Sequence, residues 1–223
     1  MVWKEKAPSA ALIFGDGRVI YGHGLGVSGI RIGEVCFNTS MSGYQEILTD
    51  PSYTDQIITF TFPHIGNTGT NKDDNETANS GLRSTALGMI IGEEISNPSN
   101  YRSQAHLEKW LCSHNMIALS GVDIRAITAH IREHGMFDAA LVHDKKGRFA
   151  VEEIAQQIGE WGGLEGKDLA TKISHSHIKK WHEGAWQFLP NGKGKYSRKG
   201  TEKTHIAVID FGIKSNILRQ LSR

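Results

Sequence analysis

The run His205 to Phe211, "HIAVIDF", constrains the fold of this chain more than any other stretch. It is almost wholly apolar, the composition of a parallel-sheet strand buried on both faces. Gly212 follows as a turn residue. Ile213, Ile217, Leu218 and Leu221 then recur at helical spacing. One parallel strand cannot satisfy its own backbone groups or cover the stripe of its helix. The unit is therefore expected to open a doubly wound domain whose remainder lies beyond Arg223.

Upstream, short strands alternate with short helices, an α/β pattern. Residues 11–14 and 18–21 flank "GDG" and predict a β-hairpin. "GEVCFNT" from Gly33 alternates as a strand, and "QIITFTF" from Gln56 has the β-branched and aromatic content of a central one. "ALGMIIG", "MIALSGV" and "FDAALVH" predict further strands. In "SQAHLEKWLCSHN", Ser103 is the expected N-cap, with Leu107, Trp110, Leu111 and His114 on one face. In "DIRAITAHIREHG", Asp123 caps, Ile124, Ile127 and Ile131 form the stripe, and Gly135 stops the helix. "VEEIAQQIGEWGG" carries Ile154, Ile158 and Trp161 at the same spacing. "NKDDNETANSG" reads as an exposed polar loop.

Composition narrows the classes of function. Lys plus Arg is 25 and Asp plus Glu 24, a net charge of +1. That balance provides no long-range field for nucleic acid or an anionic membrane. Five basic residues, Lys193, Lys195, Arg198, Lys199 and Lys203, cluster locally among Gly, Asn and Ser, which reads as a solvated connector rather than a nucleic-acid patch. No apolar run approaches the roughly 18 residues that span a bilayer, and "MVWKEKAPS" lacks the apolar core of a signal peptide. Cys36 and Cys112 stand without ligand or redox spacing and read as reduced, buried thiols of a cytoplasmic protein.

Catalytic motifs are scarce. The Gly-x-Ser-x-Gly elbow is absent, and no base is spaced against Ser40 or Ser42. Ser42 reads instead as an N-cap, with Gln45 completing a capping box. The glycines of "GHGLGVSG" lack the Lys-Ser/Thr pair of a phosphate loop, and no His-x-x-x-His pattern includes His64. No catalytic residue and no metal site is expected in this chain. In Asp50-Pro51-Ser52-Tyr53, Asp accepts from the backbone and Pro presets φ, which predicts a type I turn; Ser52 there can point its hydroxyl outward, but the residues alone favour a plain turn serine.

The stretch "GEVCFNTSMSGYQEILTDPSYTDQIITFTFPHIGNTG" closely resembles the N-terminal domain of the small, glutamine amidotransferase subunit of carbamoyl phosphate synthetase. The resemblance continues in "GVDIRAITAHIREHG" and "GLEGKDLATKIS". It ends in "HIAVIDFGIKSNILRQL", similar to the first strand and helix of a class I amidotransferase domain. It implies a swivelling β/β/α domain over residues 1–160, a connector over 161–204 and a truncated amidotransferase unit over 205–223. It also implies a subunit that hydrolyses glutamine through a cysteine thioester. The ammonia would pass to a large subunit that uses ATP and magnesium to make carbamoyl phosphate for arginine and pyrimidine synthesis. Ser52 matches the serine that contacts the substrate glutamine, and this chain itself is expected to need no cofactor. The nucleophilic cysteine would lie beyond Arg223, so the chain alone is expected to be inactive. A stand-alone module docking on the large subunit is the alternative.

Overall fold

The computed structural model describes residues 6–78, 85–190, 194–198 and 204–223. Its centre is a closed barrel of seven strands. They are β1 (Ala10–Phe14), β2 (Val19–Gly26), β3 (Gly29–Asn38), β4 (Gln56–Phe60), β5 (Gly88–Ile90), β6 (Ile117–Ser120) and β7 (Phe137–His143). Around the barrel the order is β1-β2-β6-β5-β4-β3-β7. Strands β3, β4, β5 and β6 run parallel to one another, while β1, β2 and β7 close the circle with antiparallel pairings. A closed sheet has no edge, so each strand has a neighbour on both sides.

The period of two along each strand assigns its residues to one of two faces. Leu12, Val35, Ile57, Ile90, Leu119 and Leu141 belong to one apolar cluster, to which all seven strands contribute and which Ile127 and Ile131 join. This is the barrel interior, with helix α3 (Ile124–His134) packed against it. The alternate residues face outward. Ala11, Ile13, Ala140 and Val142 meet Ile154 and Ile158 of α4 (Val151–Trp161). Cys36, Ile58, Phe60 and Met89 meet α1 (Tyr44–Thr49) and α2 (Leu107–Ser113). Strands apolar on both faces are the consequence of a barrel wrapped in helices.

Several local expectations are met. The hairpin forms from β1 and β2, Asp123 caps α3 through its contact with the Ala126 N–H at 2.9 Å, and Gly135 terminates that helix. Others are corrected. Residue 43, not Ser42, is the N-cap of α1: Gly43 has φ 82°, which a serine adopts only at a cost, and no side chain caps the helix. Gln45 does not reach back to that cap. Its amide is buried and exchanges two hydrogen bonds with the Asn71 backbone at 2.6 and 2.9 Å. α2 is capped by His106 rather than Ser103. Cys112 is exposed, not buried. The "GHGLGVSG" glycines lie largely within β2, where a Cβ at Gly24 would sit 2.2 Å from the His143 ring, so close packing explains their presence.

Beyond the barrel, the segment expected to be a connector is not featureless. It contains α5 (Leu169–Ile173) and a hairpin of β8 (Glu183–Phe188) and β9 (Gly194–Arg198). Lys195 and Arg198 lie on β9, while Lys193, Lys199 and Lys203 fall outside the described residues. The chain ends in α6 (Ser215–Leu221), as the helical stripe predicts. The strand predicted at His205–Phe211 does not form: no described strand pairs with it, and Ile206, Ile209 and Phe211 are exposed. A strand exists by its neighbours, and this run has none among the described residues. The described residues thus form a mixed α/β chain built on a barrel, as the α/β pattern predicts.

Candidate functional site

The polar stretch between β3 and β4 has a topological cause. The two strands are parallel neighbours, so the chain must cross from the end of one back to the start of the other. The crossover is α1 followed by a 3-10 turn, Pro51–Tyr53. The structure places Ser52 on the outside of that turn, exposed, between buried Pro51 and the residues that lead into β4.

The turn is held from several sides. Asp50 is 6% exposed. Its Oδ1 accepts from the Ser52 N–H at 2.9 Å, the cap foreseen from the sequence. The Asp50 carbonyl accepts from the Tyr53 N–H at 3.0 Å and from the Thr85 hydroxyl at 2.5 Å. Thr54 donates its hydroxyl to the Pro51 carbonyl at 2.7 Å, and Asn38 donates to the Tyr53 hydroxyl at 2.9 Å. Ser52 is thereby an exposed hydroxyl on a stiff mount.

Two residues that sequence reasoning missed tie this mount to the end of the chain. Lys214 pairs with Asp50 Oδ2 at 2.5 Å, and the hydrogen bond to Asp50 pushes the Lys214 pKa up against the opposing effect of burial. Lys214 occupies the N-cap of α6, where a cation opposes the helix dipole. That unfavourable placement is the signal that could have revealed a carboxylate partner. Glu76 is the second. Its carbonyl accepts from Ser215 N–H at 2.8 Å and its carboxylate from Asn216 N–H at 2.8 Å. Burial raises its pKa, while the Asn216 amide and Arg219 oppose the shift. Arg219 is itself buried, 3.4 Å from Glu183 and with its guanidinium 3.7 Å over the Tyr196 ring. Residues 71–78, the described part of the stretch expected to be an exposed polar loop, are therefore a partly buried docking surface for α6 and the β8–β9 hairpin.

This arrangement can bind but is not built to attack. The Asp50 carboxylate is committed to the Ser52 amide and Lys214, so it is not poised as a base for the Ser52 hydroxyl. The Cys36 thiol is pushed up to about 12 by burial and by the Glu34 charge, which makes it a poor nucleophile. Among the described residues no group of His, Cys, Asp and Glu could hold a metal ion, and no helix is long and apolar enough to cross a membrane. A cleft of about 210 Å3 opens beside the turn, lined in part by Arg31, Thr54, Asp55 and Lys172, with Ser52 outside its lining. Lys172 and Asp55 pair across it at 2.5 Å.

Residues 12–141 match the family described as "Carbamoyl-phosphate synthase small chain, CPSase domain". Carbamoyl phosphate synthase small chains from Mesorhizobium japonicum and Bradyrhizobium diazoefficiens are each 46% identical over 220 residues, 99% of this chain and 54% of the relative. That from Rhizobium meliloti is 46% identical over 97% of this chain and 54% of its own length. The chain thus spans about half the length of these relatives. Among solved structures, an aminopeptidase from Aneurinibacillus sp. strain AM-1 aligns with 62% of this chain and 31% of its own at 13% identity and a TM-score of 0.32, too slight a likeness to carry anything across. With nearly all of its Ala10–His143 barrel in the matched segment and 99% of its length aligned to such relatives, the chain belongs to the carbamoyl-phosphate synthase small chain family.

Proposed function

We propose that this chain works as part of a glutamine-hydrolysing small subunit that supplies ammonia to a large subunit. There, ammonia, bicarbonate and ATP, with magnesium, give carbamoyl phosphate for arginine and pyrimidine synthesis in the cytoplasm. Ser52 is the contact to the substrate glutamine, and bond breaking takes place on a cysteine outside this chain. The observation that carries this reading is the exposed Ser52 hydroxyl on a turn locked to the C-terminal run through Asp50 and Lys214. Because Asp50 joins the Ser52 turn to Lys214, the N-cap of α6, the proposed glutamine contact lies close to the C-terminal run. By itself the chain is inactive toward glutamine.

The test uses the complete subunit with its large partner. Ser52→Ala raises the KM for glutamine more than it lowers kcat, because a contact made alike in ground and transition states is uniform binding. A hydrogen bond to a charged group contributes roughly 1.5–3 kcal/mol, so kcat/KM falls about 10- to 150-fold. Ammonia-dependent synthesis bypasses the glutamine site and stays near the unmodified rate. An equal fall in both rates would assign Ser52 to folding or subunit contact instead.

A further inference from the structure

We propose that the cleft of about 210 Å3 beside the barrel is a binding site for a small aliphatic carboxylate, held by the guanidinium of Arg31. Three parts of the chain converge there: Arg31 near the start of β3, Asn115 between α2 and β6, and Lys172 on α5. Arg31 is half-buried and has no carboxylate partner among the described residues. Its hydrogen bonds there go to two backbone carbonyls, of Ile30 at 2.9 Å and of Asn115 at 3.1 Å. A guanidinium presents five N–H donors in a rigid fork and no acceptor. The two carbonyls fix the fork and leave the rest of it for a ligand. A charge drawn partly out of water is stabilised most by an opposite charge that its donors can bond.

The charges of the lining select the ligand. Lys172 donates to Asp55 Oδ1 at 2.5 Å, so these two offset one another. Among the lining Lys, Arg, Asp and Glu side chains, Arg31 is then the one without compensation. One surplus positive charge suits a single carboxylate, whose two oxygens match the fork. A phosphate dianion would bring a second negative charge toward Asp55 and be repelled. Leu87 and Ile173 also line the cleft and provide apolar surface for a short hydrocarbon body. The backbone points to the same place. Asp55, with φ 60°, and Asn115, with φ 56°, are the two non-glycine residues with left-handed backbone among those described, and both line this cleft. Residues stay in that region where their surroundings hold them, and such positions cluster at ligand sites. Ser52 does not line the cleft, so the carboxylate site does not rest on the glutamine contact proposed above.

Residue-resolved amide spectra of the 223-residue chain, titrated with butyrate at constant ionic strength, test the site. Saturable shifts are expected at Arg31, Asp55, Asn115 and Lys172, while Leu12 and Ile13 of β1 do not move. Butyramide has the same hydrocarbon body without the charge and gives no saturable shift. Arg31→Gln keeps an amide donor but removes the charge and the fork, and it weakens butyrate binding about tenfold or more, the loss of a charged hydrogen bond. Should that variant not fold as the unmodified chain does, Arg31→Lys decides: it keeps the charge, loses the fork and weakens butyrate about two- to tenfold. No saturable shift at the four residues up to about 100 mM butyrate would overturn the proposal. So would equal shifts with butyramide, unchanged affinity in the Arg31 variants, or tighter binding of inorganic phosphate than of butyrate.

Discussion

The barrel and the C-terminal run hold the same kind of sequence in opposite circumstances. "AALIF" of β1 and "HIAVIDF" from His205 are both short, apolar and rich in strand-forming residues. In β1, Ala10, Ala11, Leu12 and Ile13 are 0% exposed, between β2 on one side and β7 on the other. In the run, Ile206 is 59%, Ile209 81% and Phe211 71% exposed. What separates them is the supply of neighbours. Apolar burial stabilises at roughly 25 cal/mol per Å2 only where something covers the area. The run is held by polar contacts at one end, through Asp210 to His175 and through Lys214 to Asp50. Hydrophobic packing fixes the barrel, and charged hydrogen bonds fix the tail.

The largest expected effect breaks the first half of that comparison. Leu12 is fully buried in the barrel interior, so Leu12→Ala costs about 2–5 kcal/mol, the lost transfer free energy plus a cavity. The matched change Ile209→Ala, at an exposed site, stays within about 0.5 kcal/mol. Denaturant melts of the two variants at unchanged m-value check both numbers. Equal losses would mean that Ile209 is covered in solution and that the run has found a partner.

How much of this is legible in the sequence follows the same division. Where structure is decided within a few residues, the pattern suffices: Asp123 and Gly135 delimit α3, Ile127 and Ile131 point inward, and Asp50 caps the turn of Ser52. Where a distant partner competes, the local rule loses. Gln45 is drawn to the Asn71 backbone instead of closing a capping box, and His205–Phe211 has the composition of a strand without the pairing. Closure of the barrel is not legible either, because its order places β6 beside β2 and β7 beside both β1 and β3. The family was legible from the residues around Ser52, and the match over residues 12–141 agrees. The lysine that braces Ser52's turn was not, since Asp50 and Lys214 stand far apart in the chain.

A smaller effect is expected at the joint between the two regions. Asp50→Ala removes the acceptor of the Ser52 N–H and leaves Lys214 without its carboxylate. Lys214 is 40% exposed, so water takes over much of its solvation. The loss is therefore set mainly by the missing cap and the buried groups around it, about 1–2 kcal/mol. Hydrogen exchange localises it: protection falls at Ser52 and Tyr53 and at the start of α6, while β1 and β7 are unchanged. A uniform loss across the barrel would show that Asp50 belongs to the core rather than to the joint.

The smallest effect concerns acid. Burial works against the Asp210 charge, but the His175 ring and the amides of Ile213, Gly212 and His175 outweigh it and hold the carboxyl below its ordinary value of 3.8. A carboxyl whose pKa is lower in the folded chain contributes stability that is present above the unfolded value and is lost as pH falls through the folded one. The window thus lies at and below the ordinary carboxylate range. Asp210→Asn keeps the shape and removes the charge. At neutral pH it lowers the protection of Gly212 and Ile213 by a factor that corresponds to about 1 kcal/mol. The gap between the variant and the unmodified chain closes as acid protonates Asp210. The barrel, whose stability rests on Leu12, Ile57 and their neighbours rather than on this carboxylate, shows no step in protection that tracks the closing gap. A gap that persisted at the lowest pH would mean that the asparagine disturbs the bend for a reason other than charge.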